Sequence, residues 1–356
     1  IMKILFISRA HPPIVGGIEN QNYELGKHLS KIAQVKIIAN RYGKKFLPIF
    51  LPYVSIKALF LMPKFEVLLL GDGVLGIVGF LVKKFYGSRK KVVCICHGLD
   101  LTYFFWLYQK LWVKKFIPAL DKLIAVGNET IRQGVKRGIL EEKFVFIPNG
   151  INPEKHIGNY SRADLEKIVG EKLEGKKVIL TSGRLAKRKG VAWFIRQVMP
   201  KLADNVIYLV LGEGPDKNNI MEAIEEKKLH SRVKILGYQS DKERDICFNT
   251  ADLFVQPNIK VPGDMEGFGI SVIEATTCKL PVVASALEGL RDAIKDGENG
   301  FLVESENAEA WVKKINELLP KDNFRRQFGE KARQYTIENY SWEKIAKLYL
   351  DAIRRA

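Results

Sequence analysis

A chain of 356 residues with 47% hydrophobic content is longer than one core usually serves, so two domains with well-formed interiors are expected and disorder is excluded. The formal charge of +17 is unevenly spread: residues 1–150 hold 23 Lys and Arg against 9 Asp and Glu, and the remainder holds 34 against 31. Such a basic first half suggests an anionic partner, a membrane surface or nucleic acid. Four cysteines in apolar surroundings argue against a disulfide framework or a four-ligand zinc site, and for buried thiols in a reducing cytosol.

In chain order, Met2-Lys3 leads directly into the strand-like run Lys3 to Ser8 and does not read as a signal peptide. A Gly16-Gly17 turn follows, then a helical pattern through Leu29. Val35 to Ala39, Val67 to Leu70, Val92 to Cys96, Leu123 to Val126 and Phe144 to Ile147 are further short apolar runs, each separated by enough chain for a crossover. No uninterrupted apolar run reaches the ~18 residues of a membrane span. The longest candidate, Val67 to Val82, is interrupted by Asp72 and glycines and reads as strand, turn and helix start. A polar stretch, Asn152 to Lys177, reads as a linker, after which the alternation restarts at Val178 to Thr181, Ile207 to Leu211, Val233 to Leu236, Leu253 to Val255 and Val282 to Ala284. The expected fold is α/β: two doubly wound parallel sheets with ligands at the carboxyl ends of the strands.

Chemistry-bearing residues fall in the loops after those strands. Gly16-Gly17 is either a plain turn or a close approach to a diphosphate. His97, in His97-Gly98-Leu99-Asp100, stands at a carboxyl edge. Gly183 to Gly190 offers Arg184, Lys187, Arg188 and Lys189 in a Gly-bounded loop, either a solvated turn or a metal-free diphosphate clamp. Gly237-Tyr238 closes a later strand. The stretch Asp264 to Ala275 carries most: with a helix starting near Gly269, the N-H groups of Gly267, Phe268 and Gly269 point out of its N-terminus, Glu266 lies just before it and Glu274 about one and a half turns inside. An ordinary helix start with two solvated glutamates reads equally well.

Taken together, Gly16-Gly17-Ile18-Glu19, His97-Gly98-x-Asp100, Pro148-Asn149-Gly150-Ile151, Gly183-Arg184-Leu185 with Lys189-Gly190, and Glu266 to Glu274 resemble, in their order, a retaining glycosyltransferase of the GT-B fold, family 4, with a glycogen-synthase-like C-terminal donor domain. Departures are Gly127 for the common Ser, Asn152 for Asp after Asn-Gly-Ile, and Asp292 for Glu before Gly297-x-x-Gly300. The resemblance implies two Rossmann-like domains facing each other across a cleft: an acceptor-side domain over residues 1–160, with residues 341–356 crossing back to it, and a donor domain over 170–340. It implies that Arg184 and Lys189 bind the diphosphate of a UDP- or GDP-sugar with N-H groups at Gly16-Gly17 and Gly267 to Gly269. Glu274 holds ribose, Glu266 holds the transferred sugar, His97 lies by its reacting carbon, and Gly237-Tyr238 lie along the base.

On this reading the enzyme is a hexosyltransferase that needs neither cofactor nor metal, because fixed cations stabilise the departing nucleoside diphosphate. An epimerase of the same fold, a noncatalytic nucleotide-sugar sensor and a nucleic-acid-binding protein are the alternatives; no nucleic-acid motif is present, and no such partner is expected. The stretch Leu101 to Phe116 puts Phe105, Tyr108, Trp112 and Phe116 on one helical face and Lys110 and Lys114 on another. With the acid-free run Leu25 to Phe65 and Arg89-Lys90-Lys91, it predicts a cytoplasmic protein peripheral on the inner face of the cell membrane, acting on a lipid-linked or other membrane-presented acceptor.

Overall fold

The computed structural model describes residues 2–14 and 16–356. Among the described residues twelve strands form two six-stranded sheets, parallel throughout. The first contains β1 (Lys3–Ser8), β2 (Gln34–Ala39), β3 (Val67–Leu70), β4 (Lys91–Cys96), β5 (Lys122–Ala125) and β6 (Phe144–Phe146), in the order β2-β1-β3-β4-β5-β6. The second contains β7 (Lys177–Ser182), β8 (Val206–Leu211), β9 (Val233–Gly237), β10 (Leu253–Gln256), β11 (Val282–Ser285) and β12 (Phe301–Val303), in the order β12-β11-β10-β7-β8-β9. Each order reverses once, between β1 and β3 and between β7 and β10. Those two points are where loops diverge to opposite faces and open a crevice.

The chain divides into two compact units. Unit 1 is Ile1–Gly150, Gly263–Phe268 and Tyr340–Ala356; unit 2 is Ile151–Pro262 and Gly269–Asn339. The sequence reading kept 170–340 whole, whereas the contacts of Gly263–Phe268 assign that short segment, and Glu266 with it, to unit 1. In unit 1 the strand alternation sends Leu5 and Ile7 to one core and Ile4 and Phe6 to the other. The second of these is closed by Ile345, Tyr349 and Ile353 of the C-terminal helix Trp342–Arg354.

The helices beside β1 and β2 are α1 (Gly17–Leu29) and α2 (Leu47–Leu61). With its flanking turns, α2 makes the helical stretch Lys44–Lys64, which by length and apolar composition is long enough to cross a membrane, although no continuous run suggested it. Pro48 sits in its first turn, where a missing N-H costs nothing, and Pro52 lies inside it. Two other sequence expectations change. The stretch Asn152 to Lys177 is no simple linker, because Ser161 and Asp164 form a reciprocal cap that starts the helix Arg162–Val169. Strand β12 joins the second sheet and has no counterpart in the sequence reading. All four cysteines are buried free thiols; burial pushes those of Cys247 and Cys278 up to about 12.

Candidate active site

In unit 1 the carboxyl ends of β1, β3 and β4 are joined by one polar network. Asp100 accepts from the backbone N-H groups of His97 (3.0 Å), Gly98 (2.9 Å) and Gly73 (2.9 Å), which fixes the loop after β4 against the loop after β3. The Gly71 carbonyl, which can only accept, lies 3.0 Å from His97 Nε2. That nitrogen therefore carries the proton, and in the neutral ring Nδ1 is left as an acceptor. Asn22 of α1 donates to the same carbonyl and to Ser8 Oγ.

At the reversal point between β1 and β3, Arg9 pairs with the fully buried Asp72 at 2.7 Å. Burial raises the Asp72 carboxyl above its ordinary range, with Arg9 opposing and Asp100 adding to the rise. Burial would lower the Arg9 pKa, but Asp72 and Asp100 hold it above its usual value. The sequence reading missed this pair, because Arg9 belongs to no motif and Asp72 looked only like an interruption of an apolar run.

Glu266 is 8% exposed. Its neighbour Gly267 backs onto the loop after β4, where a Cβ would stand 2.8 Å from the His97 carbonyl oxygen, and the Met265 methyl lies against Gly98. Only glycine allows that approach at 267. The structure thus brings the Glu266 segment and the His97 loop together. Phe268 is buried edge-on against Tyr340. At the start of α1, Gly16 is extended and the Glu19 carboxylate folds back to within van der Waals range of it, so this helix start already carries an anion of its own.

In unit 2 the loop Gly183 to Gly190 leaves β7 at the reversal point, beside β10. Arg184 is exposed, and its side chain makes no hydrogen bond or ion pair among the described residues. Lys189 ends a short turn, Lys187–Lys189, and is 7% exposed. Gly190 closes the turn at φ 66°, where a Cβ would stand 1.9 Å from the Pro257 carbonyl oxygen just past β10. Gly190→Ala is accordingly expected to cost about 1–3 kcal/mol, seen as a lower denaturation midpoint at unchanged m-value.

The helix Ile270–Thr277 starts after Gly269, so Glu274 lies within its second turn as the sequence suggested. A partner appears that the sequence did not flag: buried His156 donates from Nδ1 to Asp245 Oδ1 at 2.8 Å and turns Nε2 toward Glu274 Oε1, 3.7 Å away. His156 follows Asn-Gly-Ile by a few residues, but nothing local marks it. Gly237 ends β9, and Tyr238 beside it is 75% exposed. Among the described residues no group of three or more His, Cys, Asp and Glu could hold a metal ion.

The stretch Leu101 to Phe116 differs from the expected interfacial helix. Phe105 precedes the helical turn, and Gln109–Phe116 is wound as a π-helix. Tyr108 stacks on Trp112 and Trp112 packs edge-on to Phe116. This face turns inward: Tyr108 donates to the Asp100 carbonyl and Trp112 Nε1 to the Val74 carbonyl. Buried phenol and indole groups need such partners, and the core supplies them. The aromatic surface left outside is Tyr103 to Trp106.

Residues 163–335 match the family model of glycosyl transferases group 1, and residues 15–155 match that of glycosyltransferase family 4. The chain is a glycosyltransferase. An uncharacterized glycosyltransferase of Methanocaldococcus jannaschii is 26% identical over 97% of this chain and 96% of its own. The N-acetyl-alpha-D-glucosaminyl L-malate synthase of Bacillus anthracis is 25% identical over 78% of this chain and 72% of its own. The structure of Anabaena HepE in complex with UDP superimposes with a TM-score of 0.77 at 19% identity, covering both chains completely. The glycosyltransferase has the GT-B fold, with one Rossmann-like sheet in each unit.

Proposed function

We propose that this glycosyltransferase is a retaining, family 4 hexosyltransferase that moves a sugar from a UDP- or GDP-sugar to an acceptor hydroxyl presented at a membrane surface. The observation that carries the donor half is the cationic loop Gly183 to Gly190 at the reversal point of the unit 2 sheet. Exposed Arg184 offers a forked contact and Lys189 a point charge to a diphosphate. Glu274, with buried His156 3.7 Å away, accepts from ribose hydroxyls, and the exposed Tyr238 ring flanks the base.

The bond from the sugar's anomeric carbon to the diphosphate oxygen breaks with its electron pair going to that oxygen, where Arg184, Lys189 and the N-H groups around Phe268-Gly269 stabilise the charge. The acceptor oxygen bonds to the anomeric carbon from the same face and gives its proton to the departing phosphate. Glu266 and His97 hold and orient the sugar. This chemistry draws its positive charge from side chains and needs neither metal nor cofactor.

The membrane half is supported by the basic surplus of residues 1–150 and the exposed aromatics Tyr103 to Trp106. The L-malate in the name of the Bacillus relative supports an anionic acceptor. A protein that works so is cytoplasmic and peripheral on the inner membrane face.

A thermal-shift panel of UDP, GDP, ADP and their sugars tests the donor. The true nucleotide at 100 times its dissociation constant is expected to add ~2.7 kcal/mol of stability. A panel in which no nucleoside diphosphate shifts the transition would sink the reading. Vesicle cosedimentation at low and high salt tests the membrane half, which fails without salt-sensitive binding to anionic lipid.

A further inference from the structure

Unit 1 contains a cavity of about 670 Å³ that the donor chemistry does not use. It runs along β2 from Lys36 and past its carboxyl end to Tyr42, with Tyr23 and Lys27 of α1 and Phe50, Tyr53 and Lys57 of α2 as walls. A volume of this size suits a small ligand. Its charged lining is one-sided: Lys27, Lys36, Arg41 and Lys57 face it, no carboxylate does, and none of the four pairs with an acid among the described residues. Between the cations stand aromatic rings, Tyr42 and Tyr53 among them.

The lining is held in place. Buried Asn40 accepts from the Tyr42 N-H at 3.0 Å and donates to the Gly43 carbonyl at 3.0 Å, which sets the turn carrying Arg41. Tyr42 packs on Phe46, and Lys57 lies 4.8 Å over the Tyr53 ring while donating to its hydroxyl. Four cations without a counter-charge, of which Lys57 is held by Tyr53, make a site for a phosphate or diphosphate.

Helix α2 adds a second requirement. At about 100° per residue it presents three adjacent strips. Phe50, Val54 and Ala58 are buried in the core. Tyr53 and Lys57 border the cavity. Next to them Ile49, Ile56 and Phe60 form an apolar stripe, 62%, 59% and 80% exposed. A helix that is apolar all round normally has every face covered, and this stripe is bare.

We infer that the cavity and stripe together bind an anionic amphiphile, an isoprenoid-type diphosphate whose charged head enters between Lys36, Arg41 and Lys57 while its hydrocarbon lies along Ile49, Ile56 and Phe60. A small polar anion leaves the stripe in water, and a neutral hydrocarbon leaves the four cations without counter-charge; this occupant satisfies both. As the acceptor's anchor, it rests on the proposed reading of a membrane-presented acceptor, yet binding is measured without transfer.

The test is calorimetry with farnesyl diphosphate, inorganic diphosphate and farnesol on the intact protein, with and without saturating UDP. Farnesyl diphosphate is expected to bind in the presence of UDP, and more tightly than either of the other two. The pair Lys36→Glu and Lys57→Glu is expected to weaken it by about a hundredfold, and Ile56→Ser with Phe60→Ser by about tenfold with no effect on inorganic diphosphate. Affinity for whichever of UDP and GDP the thermal-shift panel selects, together with an unchanged unfolding transition, serves as the folding control in every variant. Equal affinity of the charge-reversed variant and the wild type overturns the inference. So does inorganic diphosphate binding the wild type as tightly as farnesyl diphosphate. Failure of both UDP and GDP to bind the wild type would instead sink the donor assignment and leave this measurement standing.

Discussion

Replacing Lys189 by alanine is expected to weaken nucleoside-diphosphate binding by roughly 1.5 to 3 kcal/mol, about ten- to over a hundredfold. The expectation rests on where the side chain lies. It is 7% exposed, in a turn that leaves β7 beside β10, and the turn is locked by Gly190 against the Pro257 carbonyl. A lysine held there has lost most of its rotamer freedom before the ligand arrives, so little entropy remains to be lost on binding. Arg184 is exposed and must be ordered by the ligand; its alanine variant is expected to show the smaller loss. Lys189→Met, which keeps the apolar stem and removes the charge, separates electrostatics from packing and is expected to match the alanine variant. Calorimetry with the preferred nucleotide decides. Unchanged affinity in both Arg184→Ala and Lys189→Ala would remove the diphosphate role from this loop.

Much of the architecture was legible because parallel strands buried on both faces read as short β-branched runs, and eleven of those runs became strands. Strand β12 was not legible: three residues give no periodicity, and Phe301 and Leu302 are only half-buried. Helix α2 escaped for a different reason. Its apolar residues go all the way round, so they carry no 3.6-residue signal, and two prolines disguise the run. Only the sheet at its back shows which side is core and which is left bare.

The loops of the site were found because glycine marks them, as at Gly183, Gly190, Gly267 and Gly269. Side chains that act through tertiary partners left no such mark. Arg9 meets Asp72 only because β1 and β3 are neighbours, and His156 meets Asp245 and Glu274 only once three separate segments have packed. The aromatic spacing from Tyr108 to Phe116 was real, but spacing alone does not say which way a face turns. The hydrogen bonds of Tyr108 and Trp112 to backbone carbonyls do.

Glu266→Gln is expected to lower the transfer rate by about a hundred- to a thousandfold while leaving affinity for the bare nucleotide nearly unchanged, a loss of the size seen when a group acting on developing charge is removed. Two observations separate Glu266 from Glu274. Glu266 is buried in a segment that packs on the His97 loop through Gly267 and Met265, so it belongs with the groups assigned to the sugar. Glu274 lies in the helix Ile270–Thr277 of unit 2 with His156 behind it, so it belongs with the nucleotide. Glutamine keeps the shape and one acceptor oxygen but not the charge. At 266 it removes support for a sugar whose positive charge grows toward the transition state, a loss that appears in turnover. At 274 it weakens hydrogen bonds to ribose that are present before and during reaction, a loss of roughly tenfold that appears in nucleotide affinity. Measuring UDP or GDP binding and transfer rate for both variants therefore gives a crossed pattern. If Glu266→Gln transfers sugar at the normal rate, the carboxylate beside the His97 loop is structural and the assignment of the sugar site falls with it.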